Sequence, residues 1–196
     1  MYIKNKADLN HFLKIEAKRY NRKNLLMPLY CVSESDFLWK HNVLLRKAEY
    51  YKNTNQKILA FMYKFRLKRF QNLHQLHIPL NTFDCGLKIM HLGPVLVNGN
   101  AKAGKGISLH INTSIVAGGP TDEVPTLSDG VVVGVGAVIV GGVFIAKNIA
   151  IGANAVVTKS FTTENIAIAG VPARKVSDNG RLEWAKQHAA TNVVPS

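Results

Sequence analysis

The stretch GVVVGVGAVIVGGVFIAKNIAIGANAVV, Gly130 to Val157, is apolar enough to suggest a membrane span. Two features argue against that reading. Lys147 and Asn148 interrupt the run, and glycines at 130, 134, 136, 141, 142 and 152 suit neither a helix nor an ordinary strand. The spacing is that of a repeat. Every sixth residue from Val97 gives Val97, Ala103, Leu109 and Ile115, then, after one irregular hexad, Leu127, Val133, Ile139, Ile145, Ile151 and Val157. Four places further on in each unit stand Ala101, Ile107, Thr113, Val131, Ala137, Val143, Ile149 and Ala155, mostly small or β-branched. Such hexads build a parallel β-helix: three make one triangular coil, the aliphatic residue points inward, and small residues turn the corners. Thr121 alone breaks phase, inside GGPTDEVPT. Pro120, Asp122, Glu123 and Pro125 cannot form a coil wall, so residues 118–126 are predicted to leave the helix as an external loop.

Outside the repeat the chain changes character. Residues 1–75 carry 16 Lys and Arg against 5 acidic residues, a balance of +11, while the remainder carries 9 against 7. Helical spacing shows around Asp8 to Lys23 and Asp36 to Gln75, where Ile58, Met62, Phe65 and Leu73 could form an apolar stripe serving as core or subunit contact. The run KFRLKRF, Lys64 to Phe70, interleaves cations with aromatics and also suits an anionic membrane surface or an acidic glycan. No nucleic-acid-binding motif accompanies the charge. Cys31 and Cys85 make no disulfide framework and read as reduced thiols of a cytoplasmic protein. The start MYIKNKADLN lacks an apolar signal core. The organisation expected is a basic α-helical segment (1–75), a β-helix (76–177) and a C-terminal tail (178–196).

HLGPVLVNGNAKAGKGISLH, the loop, GVGAVIVGGVFIAKNIAIGANAVV and the closing AGVPARKV together resemble the serine acetyltransferase branch of the hexapeptide acyltransferases. Within it they are most similar to the serine acetyltransferase-like proteins of capsule and surface-polysaccharide clusters. The resemblance implies a left-handed parallel β-helix preceded by an α-helical N-terminal segment, a homotrimer or a dimer of trimers, and acetyl-CoA as cosubstrate. The handedness comes from the resemblance, not from the periodicity.

Regular coils offer walls rather than pockets, so the resemblance places acceptor and thioester in a groove between subunits. Acetyl transfer to a hydroxyl needs a base for the hydroxyl proton, and a neutral imidazole suits that task near pH 7. By resemblance His91, in KIMHLGP, is the catalytic base. His110, on the second place of its hexad, projects outward, toward substrate or toward solvent. His74 and His77 stand at i, i+3, a spacing open to a metal pair but more simply a hydrated helix end, and no metal is expected.

Three departures bear on the acceptor. The family's orienting aspartate, fifteen places before the histidine, is Leu76 here; an aspartate directly before it is Met90; and an Arg-His pair in the loop is replaced by TDEVP. Asp84, Asp122, Glu123 or a backbone carbonyl could orient His91 instead. With these groups gone, a sugar hydroxyl of a capsular or other surface polysaccharide is the expected acceptor, with Asp122 and Glu123 on the substrate side. The alternatives are serine, for cysteine synthesis, and a non-catalytic scaffold. The resemblance lays pantetheine along Gly134, Val135, Gly152 and Ala153, one coil of eighteen residues apart, and gives Lys159, Arg174 and Lys175 to the CoA phosphates.

Overall fold

The hexads coil as their period requires. The computed structural model describes residues 2–28, 30–119 and 122–182. Pro120, Thr121 and most of the expected tail lie outside the described residues.

Three helices precede the coils: α1 (Lys6–Arg19), α2 (Glu34–Asn53) and α3 (Lys57–His74). Asn5 caps α1 by accepting from the Asp8 amide, and Ser33 with Asp36 forms a reciprocal capping box on α2. The helical spacing read over 36–75 resolves into two helices, broken at residues 54–56 where Asn55 adopts φ 57°. α3 ends where Gln75 turns left-handed.

Fourteen short strands follow among the described residues. They are β1 (Leu76–His77), β2 (Lys88–Ile89), β3 (Val95–Val97), β4 (Lys102–Ala103), β5 (Ser108–Leu109), β6 (Thr113–Val116) and β7 (Thr126–Leu127), then β8 (Val132–Val133), β9 (Val138–Val140), β10 (Phe144–Ile145), β11 (Ala150–Ile151), β12 (Val156–Val157), β13 (Ala167–Ala169) and β14 (Arg174–Ser177). They form three sheets, the walls of a prism: β1-β3-β6-β9-β12, β4-β7-β10, and β2-β5-β8-β11-β13-β14. All pairings are parallel except β13 with β14.

Both predicted columns point inward. Val97, Leu109, Ile115, Leu127, Val133, Ile139, Ile145, Ile151 and Val157 are buried, and so are Ala101, Ile107, Thr113, Val131, Ala137, Val143, Ile149 and Ala155. The beat of glycines answers to the corners. Gly130 and Gly136 have φ 75° and 70°, and one coil later Asn148 and Asn154 take the same left-handed turn at 56° and 55°. Val132 pairs with Ala150, eighteen residues on, but Ser108 pairs with Val132, twenty-four on. The six extra residues are the loop. It ends at 125 rather than 126, because Thr126 already pairs with Lys102 and Phe144 in the wall.

A buried ionic network fastens the helices to the first coil. Arg46 meets Glu16 at 2.6 Å and Glu49 at 2.8 Å, and it donates to the Phe83 and Asp84 carbonyls at 2.9 Å each. Glu16 also accepts from the Leu87 amide at 3.1 Å. Burial alone would lower the Arg46 guanidinium, but Glu16 and Glu49 outweigh it and hold the group above its usual range. Removing one partner of such a pair strands a buried charge, at a cost of about 3–5 kcal/mol. The α1 terminus adds Arg19, which donates to the Gly86 and Ile107 carbonyls, and Tyr20, whose hydroxyl accepts from the Ile89 amide at 2.8 Å.

The expected stripe Ile58, Met62, Phe65 and Leu73 is not core of this chain. All four are exposed, and α3 turns Leu67 and Gln71 inward instead.

Candidate active site

One edge of the prism gathers most of the residues singled out from sequence. Ile89, Leu109, Val133, Ile151 and Ile168 stand in register across the six-stranded sheet. One residue past each, at the corner, come Met90, His110, Gly134, Gly152 and Ala169; two past come His91, Ile111, Val135, Ala153 and Gly170. His91 and the pantetheine candidates therefore share a single edge, with a coil step of about 4.8 Å. The His91 and His110 rings lie 6.4 Å apart between centroids.

His91 has a carboxylate partner that the sequence reading missed. Glu34, in the first turn of α2, places Oε2 3.2 Å from His91 Nδ1, and its Oε1 accepts from the Leu92 amide at 2.8 Å. Asp84 is engaged elsewhere, accepting from the Cys85 amide at 2.6 Å. The Leu92 amide above all holds the Glu34 carboxyl below the usual carboxylate range; burial opposes it, and the His91 contact adds to the lowering. An ionised Glu34 selects the tautomer with hydrogen on Nδ1, which leaves the Nε2 lone pair for an incoming proton. Burial, then the neighbouring His91, lowers His110 and favours its neutral form.

A shallow cleft of about 220 Å³ opens beside this pair, bordered by Glu34, Ser35, Lys88, Met90 and His91. Lys88 brings a cation into it, lowered by burial and by Arg19. Leu76, at the place of the family's aspartate, is fully buried and pairs with Val95 in the wall.

Gly134 and Gly152 have a packing reason to be small. A Cβ on Gly134 would stand 2.6 Å from the Ile151 carbonyl oxygen, and one on Gly152 would stand 2.9 Å from the Ala169 methyl. Val135 and Ala153 are exposed beside them, leaving a low corner along which an arm could lie. Lys159 sits over the Phe161 ring at 5.6 Å, Lys175 pairs with Asp178, and Arg174 is exposed on β14.

Asp122 and Glu123 are not brought to His91 within one chain. The loop leaves after β6 and returns at β7, a different edge, where the Glu123 side chain covers Gly142 and its carbonyl accepts from the Gly118 amide at 3.3 Å. His74 packs against Phe70 at 4.3 Å and Phe37 at 5.3 Å at the end of α3, and His77 lies on β1. Among the described residues no group of three His, Cys, Asp or Glu could hold a metal ion, and no helix is long and apolar enough to cross a membrane.

No protein-family model matches the chain, and no curated protein matches it. Solved structures do. Serine acetyltransferase from Brucella abortus strain S19 aligns with a TM-score of 0.67 at 21% identity, covering 89% of this chain and 71% of that one. The same enzyme in complex with coenzyme A gives 0.66 at 22%, covering 90% and 70%. Serine acetyltransferase from Neisseria gonorrhoeae in complex with serine gives 0.62 at 22%, covering 88% and 70%. The chain shares their fold, the left-handed parallel β-helix with N-terminal helices.

Proposed function

We propose that this chain is an acetyl-CoA-dependent O-acetyltransferase with His91 as its base. The single observation that carries the reading is the Glu34–His91 contact at the corner from which Gly134 and Gly152 continue. Nε2 takes the acceptor's hydroxyl proton as its oxygen attacks the thioester carbonyl. The C–S bond then breaks, and the imidazolium returns the proton to the leaving CoA sulfur, so base and acid are the same nitrogen. Glu34 stabilises the transient imidazolium and fixes the ring, the role of a carboxylate beside a catalytic histidine elsewhere. Acetyl-CoA lies with its pantetheine along Gly134, Val135, Gly152 and Ala153, and its phosphates reach Arg174, with Lys159 and Lys175 nearby. Catalysis belongs to residues 76–177 together with α2, in a cytoplasmic setting.

For the acceptor, the likeness to serine acetyltransferases, one of them holding serine, supports serine more directly than a glycan. Lys88 favours the same reading, since it offers a carboxylate the cation that the loop lacks. A sugar hydroxyl of a surface polysaccharide is the second reading. It is favoured by Leu76 and Met90, which stand where the serine enzymes carry carboxylates, and by Glu34, a carboxylate bordering the cleft that is already held by His91 and Leu92. Thiol release from acetyl-CoA, recorded with L-serine and with neutral and amino sugars, tests both. Release with serine that Lys88→Met weakens through KM supports the first, and release with sugars alone supports the second. Absence of release with every hydroxyl acceptor overturns acetyl transfer itself.

A further inference from the structure

α3 carries Lys57, Lys64, Arg66, Lys68 and Arg69 and has no acidic residue along its length. Its inner side is accounted for: Leu67 and Gln71 are buried, and Tyr63 and Phe70 pack against the core. Its outer side is apolar and uncovered, with Ile58 85%, Phe61 74%, Phe65 60% and Leu73 76% exposed. At 3.6 residues per turn, Ile58, Met62 and Phe65 align as a ridge with Phe61 and Leu73 to either side. Lys57, Lys64 and Lys68 run along one flank, Arg66 lies toward the other, and Arg69 falls in line with the ridge, one turn beyond Phe65. Beside the C-terminal half of the ridge an apolar groove of about 340 Å³ is lined by Met27, Leu44 and Phe70, with Arg66 and Arg69 at the same groove.

We propose that this face of α3 docks flat on an anionic lipid surface. A ridge of aromatic and aliphatic side chains with a row of lysines on one flank and arginines at and beyond its other side has the character of an interfacial helix: rings enter the boundary between headgroups and acyl chains while the long lysine and arginine side chains reach out to lipid phosphates. Charge decides against a second copy of the chain as the occupant. A two-fold contact through this face would set five cations against five, with no carboxylate on either helix to relieve them. The inference is independent of the acetyl-transfer reading, since none of these residues touches the His91 corner.

The test is co-sedimentation of the full chain with phosphatidylcholine vesicles, with and without phosphatidylglycerol. The expected result is pelleting with the anionic vesicles only, reduced at least about tenfold by raising salt from 0.05 to about 0.5 M, as screening of exposed charges requires. Phe61→Ser with Phe65→Ser, and separately Arg66→Gln with Arg69→Gln, should each weaken binding by about tenfold or more while circular dichroism and thiol release stay as in the parent. Having two unrelated variants guards against one of them unfolding. Equal binding to neutral vesicles, no binding to either, or binding indifferent to both variants overturns the proposal. So does a fall in assembly mass on Phe61→Ser with Phe65→Ser without any vesicle binding by the parent, which would assign the ridge to a contact between copies.

Discussion

Glu34 Oε2 lies 3.2 Å from His91 Nδ1 across 57 residues of sequence, joining the start of α2 to the corner after β2. Both side chains are about half exposed, at 45% and 56%, so the pair contributes little to stability and its effect is read in turnover. Glu34→Gln should lower kcat by roughly 10- to 100-fold with the acetyl-CoA KM nearly unchanged, and His91→Ala by about 10²- to 10⁴-fold. Because Glu34 acts through His91, the double variant should be little slower than His91→Ala alone. Multiplied losses in steady-state kinetics would separate the two residues.

A second prediction concerns acid stability. His41 is fully buried between Asn42, at 3.4 Å, and Gln71, at 3.2 Å, and burial pushes it down to about 4 from an ordinary 6.5. Between those values the unfolded chain binds a proton that the folded chain refuses. The contribution is therefore full above about pH 6.5, falls as pH drops through the window, and is lost by about pH 4, on the order of 3 kcal/mol in all. His41→Gln should flatten that part of the urea-unfolding stability profile. An unchanged slope between pH 6.5 and 4 would show that His41 takes up its proton in the folded state.

The repeat was legible because its period lies within contiguous residues: the register of Val133 on Ile151 is the same eighteen-residue step that the sequence displays. Glu34 was not legible, because nothing in the local pattern of α2 marks which surface carboxylate will meet a histidine 57 places later. The same limit hid Glu16 and Arg46, whose charge reads as surface until tertiary structure buries both. The apolar residues of α3 misled in the opposite sense, since helical periodicity defines a stripe without saying whether the chain itself covers it.

A third prediction separates packing from cosubstrate binding at the corner. Gly134→Ala drives a Cβ against the Ile151 oxygen and the Ala153 nitrogen, both backbone, so the coils must part locally, at a cost of about 1–3 kcal/mol. Calorimetry should show a lower Tm. Val135→Ala, on the exposed neighbour, should leave Tm nearly unchanged and alter the acetyl-CoA KM, because its role is contact with the arm rather than stacking. A Val135→Ala enzyme with parental KM would remove this corner from the cosubstrate path.

The last prediction follows from the two edges. His91 stands at the corner after β2, whereas Glu123 stands over Gly142 at the corner after β9, so one chain cannot offer both to one acceptor. If the loop serves the acceptor, it serves a neighbouring copy's histidine, as in a trimer whose copies meet along the wall between these edges. That wall carries the outward side chains of Leu96, Val138, Val140 and Val156, an apolar surface suited to such burial. Light scattering should then give three times the chain mass. Refolding His91→Ala chains with chains whose Asp122 and Glu123 are both changed to Lys should produce mixed assemblies in which an intact histidine faces an intact loop. Such mixtures should be several-fold more active than either parent alone. Activity no higher than the average of the parents, from assemblies verified as mixed, would confine the acceptor site to a single chain and leave the loop without a part in it.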